Sequence, residues 1–164
     1  MTTQNNLKEA FAGESQANRK YLAFAEKAQQ EGYSQVAKLF RAVADAETVH
    51  AMNHLRVMDA IGSTADNLKT AIFGEDAEFQ TMYPDFIEGA KAEKASNEVI
   101  MSFDMANKVE KIHSGLYNEA LDNLGKNEQV EYYVCQVCGN TVKDNPPDKC
   151  PICNAPKEMF KKID

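Results

Sequence analysis

Two segments of this 164-residue chain place a histidine three residues after a glutamate: Glu47-Thr48-Val49-His50 and Glu110-Lys111-Ile112-His113. On a helix that spacing turns about 60° around the axis, so both side chains of a pair can address one metal position. Glu14 and Glu75 each follow a glycine, and Glu78 lies three residues beyond Glu75. Four cysteines close to the end form two Cys-x-x-Cys pairs, Cys135/Cys138 and Cys150/Cys153. Carboxylate with imidazole suits iron, manganese or zinc, and four thiolates in a tetrahedron suit zinc or iron. The chemistry within reach is metal chemistry at two different places.

The elements that position the acids are four long helices. Up to about Gly125 turn formers are few and apolar residues recur at helical spacing. Gly32 with Ser34 separates the first helix from the second, as C-cap and N-cap. Gly62 with Asp66 separates the second from the third, and Ser96 caps the fourth. The second helix, Ser34 to Ile61, spans roughly 40 Å. Pro84 kinks the third or restarts it locally. An up-and-down bundle follows.

Ionisable residues fall on the stripes that ought to be buried. The second helix reads Val36, Phe40, Val43, Glu47, His50, His54, Val57 and Ile61; the first reads Leu7, Phe11, Glu14, Asn18, Tyr21 and Ala25. Leu68, Ile72, Glu75, Phe79 and Met82 follow the same rule, as do Phe103, Glu110, His113, Tyr117 and Leu124. A buried, unpaired carboxylate costs several kcal/mol or takes up a proton, and several together repel. A pair of cations resolves both problems. A lone Glu from each of two helices with a Glu-x-x-His from each of the others is the donor set of a di-metal carboxylate bundle. An internal repeat supports the assignment: Leu7 to Glu14 matches Leu68 to Glu75 at an offset of 61, and Phe40/Glu47 matches Phe103/Glu110 at 63. His54 has no counterpart in the second half and is assigned no ligand role, while Met52, Met58, Met101 and Met105 read as filler. Glu93 to Glu98 reads as a solvated connection.

Beyond the linker Lys126 to Val130, Tyr132-Tyr133-Val134 leads into cysteines, a glycine and four of the five prolines. Such a strand-and-loop unit is too small for a core without a staple. Asn154 stands where Gly139 stands in the other knuckle, and Asn tolerates the left-handed backbone. The thiolates alone leave zinc or iron open.

The formal charge of −7 argues against a broad nucleic-acid or acidic-membrane surface. No apolar run is long enough for a bilayer, and the segment from Met1 to Leu7 lacks a secretory pattern, so a cytoplasmic location is expected.

Ala10-Phe11-Ala12-Gly13-Glu14-Ser15-Gln16-Ala17, the Glu47/His50 and Glu110/His113 units, and Gly74-Glu75-x-x-Glu78 with Met82-Tyr83-Pro84 resemble rubrerythrins. The cysteine unit extends the resemblance over nearly the whole chain. It implies a ferritin-like four-helix di-iron bundle over residues 1–127 fused to a rubredoxin-like domain over 128–164. Carried over by position, the di-iron ligands are Glu14, Glu47, His50, Glu75, Glu78, Glu110 and His113, and a further iron sits on Cys135, Cys138, Cys150 and Cys153. The resemblance also implies that Glu47 and Glu110 bridge the irons, and that Glu78 and His50 alternate with oxidation state. Tyr21 and Tyr83 are expected beside the pocket, as packing or as hydroxyl partners of a ligand. The implied activity is reduction of hydrogen peroxide in oxidative-stress defence. Electrons would come from an NAD(P)H-linked reductase or a rubredoxin through the cysteine iron. A homodimer or higher oligomer is expected, head to tail, because the small domain is expected to lie far from mid-bundle within one subunit. Two other functions use the same residues: an iron-oxidising storage bundle, or a peroxide or oxygen sensor with a structural zinc knuckle. The cysteine gap, with eleven residues between Cys138 and Cys150, and Gln136 in place of proline depart from the family pattern without removing a ligand.

Overall fold

A computed structural model describes residues 2–164. The chain divides into two compact units, residues 1–62 and 63–164.

The first unit is a helical hairpin. Helix α1, Thr3–Gln30, starts at Thr2, whose hydroxyl accepts the Asn5 N–H at 3.3 Å. It ends where Gly32 adopts φ +84°, which lets the Tyr33 N–H return to the Ala28 carbonyl at 2.9 Å. That closure makes Tyr33 the boundary residue of α2, Ser34–Val57, so Ser34 is its first helical residue and not its cap. The helix also stops four residues short of Ile61. Asp59, at φ 54°, takes the left-handed position and Ala60 N–H closes onto Leu55 at 3.1 Å. Aspartate tolerates that conformation, so the turn needs no glycine and Gly62 is not the cap.

What holds the hairpin is a seam of small residues. Ala37, Ala44 and Ala51, seven apart, are buried against Asn18, Ala25 and Ala28. Small side chains let the backbones approach closely enough for Asn18 Nδ2 to donate to the Ala44 carbonyl at 2.7 Å and to Thr48 Oγ1 at 2.9 Å. The stripe read from the sequence stays partly open in this unit: Val36, His50, Val57 and Ile61 are exposed, while Phe40, Val43 and Glu47 are half-buried. Two helices bury one seam, and the alanines occupy it.

The second unit begins with α3, Thr64–Ala77, capped by Ser63, whose hydroxyl accepts Asp66 N–H at 3.2 Å. A π-helical turn, Glu78–Met82, leads into α4, Tyr83–Ala92. A short connection, exposed apart from the half-buried Ala95, ends at the Ser96 cap, and α5 runs Asn97–Asp122, so Asn97 and Glu98, read as connection, open the helix. Helices α3 and α4 both pack along α5. Met52 and Met101, read as filler, are exposed in their respective units.

Strands β1 (Tyr132–Cys135), β2 (Thr141–Lys143) and β3 (Phe160–Ile163) form an antiparallel sheet in the order β2-β1-β3. Its core is Cys135, Cys150, Ala155 and Phe160, flanked by Tyr133, Val142 and Ile152. Two of those four buried residues are cysteines, so little apolar core remains to hold the unit without a staple. Among the described residues no helix is long and apolar enough to cross a membrane.

Candidate metal centres

In the first unit Glu14, Glu47 and His50 bring ligand atoms within 4.8 Å of one another. Asn18, one turn after Glu14, is clamped to Ala44 and Thr48, which locks the register of α1 on α2 and sets Glu14 opposite Glu47. His50 Nδ1 lies 2.9 Å from Glu47 Oε2. The His50 side chain remains 55% exposed, the Glu47 side chain 14%.

The second unit repeats this arrangement with Glu75, Glu110 and His113, again within 4.8 Å. His113 Nδ1 is 2.7 Å from Glu110 Oε2 and 3.9 Å from Glu75 Oε2. Here the register lock is the Ser114 hydroxyl donating to Asp76 Oδ1 at 2.5 Å, from residues adjoining His113 and Glu75. Neither lock was legible in advance, because a polar pair beside a ligand looks like any surface pair until the helices are packed.

Glu78 lies outside that trio. It opens the π-helical turn, in which Tyr83 N–H reaches back to the Glu78 carbonyl. Pro84 offers no N–H to the Gln80 carbonyl, and the chain answers with the wider turn and a restart as α4 at Tyr83, the second of the two outcomes expected of this proline. Burial, then the Glu110 charge, raise the Glu78 carboxyl, while His113 opposes them. The same two causes push Glu75 up to about 7. Two crowded carboxyls held toward the neutral state mark a place that favours a cation. Tyr83 is raised by burial and then by Glu110, Glu78 and Glu75, which puts its hydroxyl in the field of the trio. Its ring belongs to a cluster with Phe86 and Phe103, and Tyr21 forms the matching cluster with Phe24 and Phe40. His54 is half-buried and belongs to neither trio.

The four cysteines converge within 4.8 Å, with Sγ separations of 3.7 Å for Cys135/Cys153 and 3.6 Å for Cys138/Cys150. Those are far longer than a disulfide bond of about 2.05 Å. They approach the ~3.8 Å edge of a tetrahedron with metal–sulfur bonds of about 2.3 Å. The two knuckles are alike: Gly139 N–H bonds to Cys135 O at 2.8 Å with φ 83°, and Asn154 N–H to Cys150 O at 2.9 Å with φ 61°. Asparagine thus does the work of the second glycine. Burial raises Cys138 and Cys153. For Cys150 burial is outweighed by the N–H groups of Cys153 and Ile152, which bring it to about 7 and prepare a thiolate.

The cysteine unit lies beside the Glu75/Glu110/His113 trio of the same unit, where a distant position was expected. The linker folds back: Asn127 Nδ2 bonds to the Ala120 carbonyl at 3.0 Å, Lys143 pairs with Glu119 at 2.5 Å, and β2 rests on α5. Thr141 Oγ1 comes within 3.1 Å of His113 Nε2.

The family model named Rubrerythrin matches residues 5–121, and the model of the rubrerythrin rubredoxin-like domain matches 133–161. Rubrerythrin-2 of Clostridium acetobutylicum is 35% identical over 175 residues, spanning 96% of this chain and 95% of that protein. The chain belongs to the rubrerythrin family. Nigerythrin of Nitratidesulfovibrio vulgaris is 34% identical across 97% of this chain and 85% of its own length. Structures of nigerythrin in mixed-valence and fully reduced states align with TM-scores of 0.58 and 0.60, at 32% identity over 99% of this chain and 87% of theirs. As a rubrerythrin-type oxidoreductase the protein uses a di-iron centre and a rubredoxin-type iron. Its residues fit both groups: carboxylate and imidazole donors at closing distance for the first, and four thiols at tetrahedral spacing for the second.

Proposed function

We propose that this protein is a non-haem peroxidase that reduces hydrogen peroxide to water. One observation carries the reading: two carboxylate–histidine trios on repeat-related helices share a chain with a four-thiolate site that can pass single electrons. Residues 1–127 act as the di-iron bundle and 128–164 as the electron-entry domain. Glu14, Glu47, His50, Glu75, Glu78, Glu110 and His113 are the iron ligands, and Cys135, Cys138, Cys150 and Cys153 hold the third iron. When bound, the iron pair supplies Lewis acidity and two electrons. The chain supplies position and protons. Glu75, pushed up to about 7 by burial and by Glu110, can hold a proton near neutral pH before metal binds, and Glu78 is raised by the same two causes. Tyr83 offers a hydroxyl in the same field. Peroxide takes two electrons and two protons to give two waters, and an NAD(P)H-linked reductase or rubredoxin restores the electrons through the cysteine site.

Replacing Glu110 with Ala removes the carboxylate nearest His113. Expected are loss of the iron pair and of single-turnover peroxide reduction, with the red ferric four-cysteine iron retained. Full turnover by a metal-quantified Glu110→Ala protein would refute the reading.

A further inference from the structure

We propose that Thr141 is a positioning residue that joins the four-cysteine site to the carboxylate–histidine trio of its own chain. The inference rests on the peroxidase reading for its purpose, but its geometry stands apart from it. Thr141 Oγ1 has one hydrogen, and the Gly139 carbonyl at 3.1 Å accepts it. The oxygen therefore faces His113 Nε2, at 3.1 Å, as an acceptor. A ring that donates from Nε2 can offer its Nδ1 lone pair to a cation, and Nδ1 is the atom turned to Glu75 and Glu110, where a cation would take the place of the 2.7 Å contact with Glu110 Oε2. Thr141 thus selects the tautomer and the ring angle that metal binding requires, a role commonly filled by a carboxylate or carbonyl behind a ligating histidine.

On its other side Thr141 touches the thiolate site almost at once. Gly139 follows Cys138 in the chain, its N–H is bonded to Cys135 O at 2.8 Å, and the buried Asn140 points Nδ2 at Cys150 Sγ, 3.7 Å away. The knuckle also faces α5: a Cβ placed on Gly139 would lie in ordinary van der Waals contact with Val109 Cγ1 at 3.7 Å, and Val109 is 2% exposed. A continuous path results, covalent from Cys138 to the Gly139 carbonyl, then through two hydrogen bonds to the His113 imidazole. With iron held by the four cysteines and by the carboxylate–histidine ligands, an electron passed along this path would oxidise the first iron by one and reduce the second site by one. Peroxide is the terminal oxidant, and a reductase-type donor or dithionite is the source. The path from the cysteines to this trio lies within one chain.

Thr141→Val removes the hydroxyl at nearly constant shape, and Thr141→Ser keeps it. After dithionite reduction and mixing with peroxide, the red ferric four-cysteine absorbance should return about tenfold more slowly or worse in the Val variant. The Ser variant should stay close to wild type, and all three should hold equal cysteine-site iron. In protein lacking the iron pair, nitrogen-15 histidine spectra should show a protected Nε2–H for His113 that Thr141→Val loses and Thr141→Ser keeps. A Val variant matching wild type in both measurements overturns the proposal. A wild type that never consumes peroxide defeats the peroxidase reading, while the histidine signal still decides the Thr141 contact. Mixing Cys150→Ser chains with Glu110→Ala chains tests the single-chain path: no recovery of fast absorbance return is expected, and recovery would overturn it.

Discussion

Glu75 illustrates how one carboxylate reports on its surroundings. Burial and Glu110 lift it to about 7 from an ordinary 4.5. In metal-free protein the folded state therefore keeps a proton that the unfolded chain releases. Stability should fall as pH rises from about 4.5 through 7 and level off above, the reverse of a salt-bridged carboxylate. Glu78, raised in the same direction, adds to the slope. Melting temperatures of metal-free protein at pH 5 and pH 8 should show the drop, and Glu75→Gln should shrink it. A melting temperature that climbs between those values would contradict the assignment. Iron, by replacing the proton, should bind more tightly as pH rises through 7. The pairing of the trios with register locks, Asn18 to Thr48 and Asp76 to Ser114, belongs to this scale too: ligands are held by the residues next to them.

Among elements, the α1–α2 hairpin is defined by what its seam lacks. Ala44 is 1% exposed and its carbonyl accepts from Asn18, so the helices meet almost backbone to backbone. Ala44→Leu should separate them, costing roughly 1–3 kcal/mol by overpacking. It should also loosen the Glu14/Glu47/His50 trio, because the Asn18 bonds depend on that approach. Urea unfolding and metal titration check the two effects, and an unchanged midpoint would show that the seam has slack. The π-helical turn is a similar case. Pro84 announced an irregularity, but the wider turn that carries Glu78 depends on which carbonyl Tyr83 N–H finds once the helix is packed.

At the scale of the molecule, the two metal sites differ in what they hold up. The sheet unit has a core in which Cys135 and Cys150 are the most deeply buried members, so the ion is part of its folding free energy. The helices carry their own seams and caps. Strong chelation under reducing conditions should therefore unfold residues 128–164, seen as lost hydrogen-exchange protection in β1 to β3, while the helical circular dichroism changes little. Coincident loss of both would mean that the helices depend on the cysteine metal.

Spacing alone determined a good deal of this protein. Periodicity, the duplicated Gly-Glu and the paired Glu-x-x-His and Cys-x-x-Cys units brought out the helices and the repeat, and with them the three donor groups. These are local or periodic signals that survive in one dimension. Others were decided only in three. Asp59 ended α2 early because a left-handed residue close to the last turn suffices and glycine is optional. The alanine seam displaced the read stripe because burial depends on which faces meet. Glu78 stands outside the trio at the first residue of a π turn, and Pro84 by itself did not say where that turn would begin. The bond between Thr141 and His113 joins residues separated by a strand, a turn and a folded-back linker, and no period encodes such a meeting. Contacts between elements depend on the path of the chain through space, and only folding sets that path.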